Sequence, residues 1–200
     1  MTGASTELQQ EAIVSAALAL LASGGPQALR VRDIAEAAGY TTMTVYSRFG
    51  GKDGVIEAIY VDGYRRFADA LRQSRPTNVP AADSLEYAHN MGSVYRDWAL
   101  SNPGSYQVMF TEAVPGFAPS EDAAGIASEA FSVLIEMVQS LQMQGHFHVG
   151  DPMGIALAIW GMAHGLVMLE LSGIGQRDGH PGFESVYTNA MVATVRGFAP

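Results

Sequence analysis

The sequence has no cysteine among its 200 residues. It therefore builds no disulfide, no reactive thiol and no cysteine-based zinc site. Basic residues are scarce too, since 11 Lys and Arg stand against 20 Asp and Glu and leave a net charge of −9. Taken for the whole chain, this charge argues against binding to nucleic acid. Residues 1–11 lack a basic region followed by an apolar run, so we expect no signal peptide and a cytoplasmic protein.

Motifs of the common enzyme classes are missing as well. The sequence has no nucleophile elbow, no glycine-rich phosphate cradle, no paired carboxylates in an apolar setting and no His-x-x-x-His zinc helix. His146 and His148 could ligate a metal, but no third ligand stands at helical spacing. We therefore expect no enzyme activity, no cofactor and no metal, with a small helical enzyme as an alternative.

Strand patterns, internal repeats and low-complexity segments are absent, and apolar residues recur at helical spacing along most of the chain. With 48% hydrophobic residues the chain can bury a sizeable core, so we expect an all-α fold. A loop over 114–120 is expected to carry one exposed aromatic residue, Phe117. The expected helices are 6–23, one that ends before Gly39, 42–49, 52–73, one that Asp83 caps and that stops at Ser101, 105–113, 121–144, 152–171 and 183–198.

The stretch 31–52 carries the most specific pattern. Apolar residues recur at helical spacing up to Ala38, and Gly39 offers the left-handed backbone that ends a helix. Thr41 or Thr42 can cap the helix that follows. Two short helices joined in this way predict a helix-turn-helix.

The second of these helices, 42–49, divides its residues by face. Val45 and Phe49 lie four apart and can seal onto the first helix. Lys52 follows Gly50 and Gly51 at the start of the next helix, where its charge and the free backbone N–H groups suit a phosphate. The remaining side chains can read base edges and hold phosphates, and they are Thr42, Met43, Thr44, Tyr46 and Arg48.

These residues resemble the DNA-binding domain of the tetracycline-repressor (TetR) family. The family pattern reads Ile-Ala-x-x-Ala-Gly, a variable recognition segment, Tyr-x-x-Phe, two residues and Lys. It is matched in register by Ile34, Ala35, Ala38, Gly39, Tyr46, Phe49 and Lys52. The family usually has Ser or Thr as a helix cap where Arg30 stands, so Arg30 could hold a phosphate instead. The resemblance implies a DNA-binding set of Arg30, Arg32, Thr41, Thr42, Met43, Thr44, Tyr46, Arg48 and Lys52.

Charge is divided unevenly along the chain. Residues 1–75 hold eight basic and eight acidic residues, whereas 76–200 hold three basic and twelve acidic, so the whole excess lies in the second part. This asymmetry suits a DNA-reading head on an acidic body. The polar, proline-containing segment 74–82 is typical of a linker. We expect a DNA-binding domain over 1–52, a connecting helix over 53–75, and an effector-binding and dimerisation domain over 76–200.

The helix expected over 152–171 is apolar nearly all round, which requires burial on every side or a membrane span. Gly154, Ala158, Gly161 and Gly165 share one side and form a smooth groove where another helix can approach closely. His164 interrupts the apolar run and no basic flank anchors it. Burial between two subunits of a homodimer therefore explains the helix better than a membrane span.

Many large aromatic and methionine side chains fall in the predicted body, which favours a cavity, although each one singly is also explained as core. His164, beside Trp160, could hydrogen-bond an effector or be a satisfied core residue. The run 160–165, with 95–103 and 109–110, resembles the ligand-binding domain of a TetR subgroup marked by Trp, His and Gly. The candidate ligand-binding residues are Met91, Tyr95, Trp98, Tyr106, Met109, Phe110, Phe131, Trp160 and His164.

The resemblance implies a homodimeric transcriptional regulator, a repressor that leaves a palindromic operator in double-stranded DNA when a small effector binds. The acidic body and its apolar candidate lining predict a neutral or cationic, largely apolar effector. A helical ligand-binding or interaction protein that does not bind DNA is the alternative.

Overall fold

The computed structural model describes residues 2–75, 84–110, 114–174 and 182–200. Over these ranges the chain forms helices and no strand, which confirms the predicted all-α fold. Most of the predicted linker 74–82 and the predicted cap Asp83 lie outside the described residues. The helices are α1 (Thr2–Gly24), α2 (Val31–Ala38), α3 (Thr42–Phe49), α4 (Lys52–Gln73), α5 (Ser84–Ser101), α6 (Pro103–Phe110), α7 (Glu121–Met143), α8 (Pro152–Leu171) and α9 (Phe183–Arg196), with a 3-10 turn at Pro26–Ala28.

The helices pack into two compact units. The first contains Met1–Arg65 and Asn102–Ala127, and the second contains Arg66–Ser101 and Ser128–Pro200. These units group residues by packing, so they differ from the functional domains predicted over 1–52, 53–75 and 76–200. The functional domain boundaries stay a prediction.

In the first unit, short-range signals define the helix-turn-helix. Gly39 adopts φ 74° in the left-handed region, where glycine is least strained, and ends α2. Thr41 then caps α3, because its hydroxyl accepts a hydrogen bond from the backbone N–H of Thr44 at 3.2 Å. Val45 is fully buried, as the sealing role of that position predicts.

The loop after α6 corrects one expectation. Phe117 is half-buried rather than exposed, since its ring packs edge-on against Tyr60 with the ring centroids 6.1 Å apart. The aromatic residue of the loop therefore contributes to the core of the first unit.

In the second unit, α8 packs against α5 and α9. Asp151 caps α8 by accepting hydrogen bonds from the backbone N–H groups of Met153 and Gly154, both at 3.1 Å. Tyr187 of α9 donates its hydroxyl hydrogen to the Gly92 carbonyl oxygen of α5 at 2.9 Å. One side of α8 is buried within the subunit, and its residues are Ile155, Ala156, Ile159, Ala163 and Val167.

The opposite side of α8 is apolar and exposed. Leu157 is 47% exposed, and a side-chain carbon added at Gly161 or Gly165 would meet nothing within 4 Å. By length and composition α7 and α8 could each cross a membrane, which is weak evidence because core helices of soluble proteins pass the same test. Within one subunit, α8 thus keeps an apolar side without a covering helix over the described residues.

Candidate functional site

The exposed face of α3 is the first candidate site. Met43 is 73% and Tyr46 54% exposed, and Thr42 and Ser47 are exposed beside them. Because Val45 is buried on the other side, these side chains point away from the first unit. A short helix that presents hydroxyl, thioether and phenol groups outward can be placed in a DNA major groove, where such groups reach base edges.

Two residues on α3 differ from the expected division of faces. Thr44 is half-buried, and its hydroxyl lies 3.0 Å from the hydroxyl of Thr41, so Thr44 takes part in the cap. Ser47, which the sequence did not single out, is exposed. Its spacing of four from Met43 is the signal that places the two side chains on the same face.

Basic residues flank this face. Arg48 is exposed in the last turn of α3, and Lys52 is half-buried at the first turn of α4. Arg30 precedes α2 as its N-cap residue but makes no side-chain capping bond, in keeping with its departure from the family's Ser or Thr. Arg30 and Arg32 are both exposed. Four positive charges therefore border the helix-turn-helix, where phosphates of a bound duplex would lie.

The second candidate site is a ring cluster in the second unit. Trp160 donates its indole N–H to the Tyr95 hydroxyl at 3.1 Å, and that hydroxyl lies 3.4 Å from His164 Nδ1. The ring of Phe131 packs edge-on against Trp160, with centroids 5.8 Å apart. Phe67 of α4 packs on Tyr95 and Trp98, with centroid separations of 5.1 and 5.0 Å.

The polar groups of Trp160, Tyr95 and His164 form a chain of hydrogen bonds. Since the Tyr95 oxygen accepts from Trp160, its own hydrogen can be donated to His164 Nδ1 when the imidazole is neutral and carries its hydrogen on Nε2. Burial lowers the pKa of His164, which favours this neutral form at pH 7. The cluster therefore offers neutral hydrogen-bonding groups among aromatic rings.

Phe67 is not among the candidate ligand residues predicted from the sequence. It lies on α4, and only its tertiary contacts with Tyr95 and Trp98 connect it to the cluster. Met91 is buried in α5 with 4% exposure.

Three candidate ligand residues lie in the first unit. The Tyr106 and Phe110 rings are 4.7 Å apart, and Phe110 packs edge-on against Tyr64 at 5.4 Å. Tyr64 donates its hydroxyl hydrogen to the Met109 carbonyl oxygen at 2.9 Å. Tyr106 and Met109 are buried, so α6 is held on α4 by aromatic packing and a hydrogen bond.

Over the described residues, no group of three His, Asp or Glu side chains is placed to hold a metal ion. His146 and His148 lie in the turn between α7 and α8, and Nε2 of His146 is buried without a hydrogen-bond partner there.

Two family models match the chain. Residues 13–59, which include α2 and α3, match the family described as bacterial regulatory proteins, tetR family. Residues 88–195 match the tetracyclin repressor-like C-terminal domain. The chain belongs to the TetR family. The family prediction is confirmed in both parts of the chain, and the subgroup marked by Trp, His and Gly stays a prediction.

Two individual regulatory proteins are also similar to this chain. The HTH-type transcriptional regulator Rv1816 of Mycobacterium tuberculosis is 26% identical over 129 residues, which are 64% of this chain and 54% of that protein. The match thus spans about half the length of that relative. The regulatory protein SCO4313 superimposes with a TM-score of 0.74 at 26% identity, over 94% of this chain and 95% of its own.

A further solved structure supports the fold alone. A protein of unknown function from Rhodococcus sp. RHA1 has a TM-score of 0.80 at 21% identity, and the alignment covers 96% of each chain. The arrangement of helices is therefore shared along almost the whole of this TetR-family chain.

Proposed function

We propose that this TetR-family protein is a DNA-binding transcriptional regulator. It acts in the cytoplasm as a homodimeric repressor, and a small, largely apolar effector releases it from a palindromic operator. The observation that carries the proposal is the outward face of α3, where Met43 and Tyr46 are exposed between flanking basic residues in a chain that matches the tetR family model. Two such heads in a symmetric dimer suit successive major grooves, which explains the palindrome.

Within the head, base readout and phosphate contact fall to different residues. Thr42, Met43 and Tyr46 lie on the exposed face and are proposed to touch bases. Arg48 and Lys52 are proposed to contact phosphates, which position the protein without distinguishing sequences. The excess negative charge of residues 76–200 repels the duplex from the body and leaves the head as the favoured surface.

The test of this division uses Arg48→Ala and Lys52→Ala. Each variant is expected to weaken binding about equally on all DNA sequences, because phosphates are the same along every duplex. Each phosphate contact contributes about −0.9 to the slope of log K against log salt, so each lost contact should make that slope less steep by about 0.9. The measurement is a fluorescence anisotropy titration with a labelled duplex at several salt concentrations.

Base readout is tested by selecting bound duplexes from a random pool. Wild type is expected to recover a palindrome, and a Thr42→Ala variant is expected to recover an altered one. If the two proteins select identical sequences, Thr42 does not read bases. If wild type shows no salt-dependent binding to any duplex, the alternative of a helical ligand-binding protein without DNA binding is favoured.

The effector is proposed to bind at the ring cluster of the second unit, which contains Tyr95, Trp98, Phe131, Trp160 and His164, and to be neutral or cationic. Arg96, one of the few cations after residue 75, is already paired with Glu170 through two hydrogen bonds of 2.6 and 2.8 Å, so it is not available to an anion. Neutral His164 and the Tyr95 hydroxyl are the polar groups of the ring cluster. The effector shifts DNA affinity only by its differential affinity for the two states, typically about 1–3 kcal/mol.

His164→Phe tests the polar anchor of this proposal. The variant keeps an aromatic ring at the position but removes a hydrogen-bonding partner, so ligand affinity should fall by roughly 1–3 kcal/mol while the fold persists. The measurement is a thermal-shift titration with a chemically mixed library, followed by release from DNA.

Three outcomes would change the effector proposal. If His164→Phe binds the ligand with undiminished affinity, His164 is a core residue and does not contact the effector. Binding of only carboxylated or phosphorylated compounds would overturn the charge argument. Turnover of a bound compound would favour the alternative of a small helical enzyme.

A further inference from the structure

A hydrogen bond between α1 and α3 bears on how the head holds DNA. Gln9 of α1 accepts hydrogen bonds from Nε and Nη2 of Arg48 at 3.3 and 3.1 Å, both on its amide oxygen Oε1. Gln9 is half-buried, whereas Arg48 is exposed at the end of the proposed recognition helix. The two residues are 39 positions apart in sequence, so the contact depends on the packing of α1 beside α3.

The bonds to Gln9 use one edge of the guanidinium of Arg48, whose side chain is exposed. A guanidinium carries five N–H donors in one plane, and Gln9 takes the side formed by Nε and Nη2. The end formed by Nη1 and Nη2 is the edge that receives a phosphate through two parallel hydrogen bonds. Holding one edge thus fixes the direction in which the other edge points.

The chemistry of the acceptor matters as much as its position. A glutamine amide orients the guanidinium without neutralising it, so Arg48 keeps its full charge for a phosphate. A glutamate of the same length would hold Arg48 through a charge-assisted bond and cancel that charge. A neutral acceptor therefore orients the guanidinium of Arg48 and leaves its positive charge to attract a DNA phosphate.

We propose that Gln9 is a positioning residue for DNA binding, which aims the guanidinium of Arg48 at a phosphate while leaving its charge intact. The inference rests on the proposed function, since it requires that α3 meets DNA. It adds α1 to the surface that determines affinity, and it assigns a role to a residue that neither the family pattern nor the exposed face of α3 includes.

The experiment compares Gln9→Glu with Gln10→Glu. Both variants add one negative charge at adjacent positions of α1, but only residue 9 is bonded to Arg48. A labelled random-sequence duplex serves as the probe, because phosphate contacts do not depend on sequence. Gln9→Glu should bind roughly tenfold more weakly than Gln10→Glu, as expected for loss of a hydrogen bond to a charged group. Its slope of log K against log salt should also be less steep by about 0.9 for each head.

Three further measurements separate positioning from a merely structural role. Gln9→Glu should unfold at the same or a higher temperature than wild type, because its bond to Arg48 gains charge assistance, so stability and DNA affinity move in opposite directions. In an Arg48→Ala background, Gln9→Glu should cost no more affinity than Gln10→Glu. Gln9→Met, which keeps the length but lacks the acceptor, should weaken binding by a smaller factor than Gln9→Glu.

The outcomes distinguish this inference from the proposed function. Equal binding by Gln9→Glu and Gln10→Glu at every salt concentration, with wild type binding DNA normally, would overturn the role of Gln9 alone. The role of Gln9 would also be overturned if Gln9→Glu lowers DNA affinity as much in an Arg48→Ala background as it does in wild type. Absence of salt-dependent DNA binding by wild type would instead overturn the proposed function, and this inference with it.

Discussion

Gly161→Leu is expected to convert the proposed dimer into a folded monomer. The position lies on the exposed apolar side of α8, where an added Cβ atom would meet nothing within 4 Å among the described residues of the subunit. In the proposed dimer this side packs against α8 and α9 of a second copy, so leucine would overfill the interface. Overpacking costs about 1–3 kcal/mol per site, and a symmetric dimer carries the site twice. The dimer dissociation constant, measured by analytical ultracentrifugation, should rise by roughly 30-fold or more.

Gly125→Leu is the matched control for this experiment. Gly125 is also an exposed helical glycine with nothing within 4 Å, but it lies on α7. Both substitutions replace glycine by a better helix former, so neither should lower the stability of the subunit. A Gly161→Leu protein that stays fully dimeric would show that the exposed side of α8 is not the dimer interface.

Glu170→Gln is expected to destabilise the protein by about 3 kcal/mol, because it breaks a largely buried ion pair and leaves Arg96 with only the exposed carboxylate of Asp97 at 3.9 Å. Arg96 on α5 and Glu170 on α8 form a two-point contact, and their side chains are only 15% and 13% exposed. The hydrogen bond to Glu170 is also the main reason that the pKa of Arg96 is raised. The measurement is urea unfolding at a fixed protein concentration, since dimerisation would otherwise change the apparent stability.

Glu129→Gln removes the same charge from an exposed position on α7 and should change stability by less than about 0.5 kcal/mol. A double variant, Arg96→Met with Glu170→Leu, should recover much of the loss, because apolar residues of similar volume replace a buried ion pair well. If Glu170→Gln is no less stable than Glu129→Gln, the pair between α5 and α8 contributes nothing to the fold.

The elements of this fold could be predicted because their signals are local. The bounds of α3, α4 and α8 agree with prediction, since Gly39, Thr41, Gly50 and Pro152 mark helix ends within one or two residues. Ends without such signals were less accurate: α1 begins at Thr2 rather than at residue 6, and α9 ends at Arg196 rather than at residue 198. Fraying ends are determined by weak propensities, which a pattern of apolar residues does not resolve.

Contacts between distant residues could not be predicted from the same patterns. Periodicity gives the face on which Arg48, Arg96 or Phe67 lies, but it carries no information about which helix covers that face. The bonds from Arg48 to Gln9 and from Arg96 to Glu170 therefore emerged only from the packing. The sequence predicts which residues of the candidate site lie on which helix. Their hydrogen-bond partners are known only from the tertiary structure.

The ring cluster contains the residues that give the protein its intrinsic tryptophan fluorescence. The chain has two tryptophans, and both Trp98 and Trp160 belong to the cluster on α5 and α8, while α3 has none. Light emitted by indole therefore originates beside Tyr95 and His164 and not from the proposed DNA-reading face. Tryptophan emission can therefore report binding of the proposed effector at the ring cluster without any label. The anisotropy of labelled DNA reports binding at α3 in the same sample.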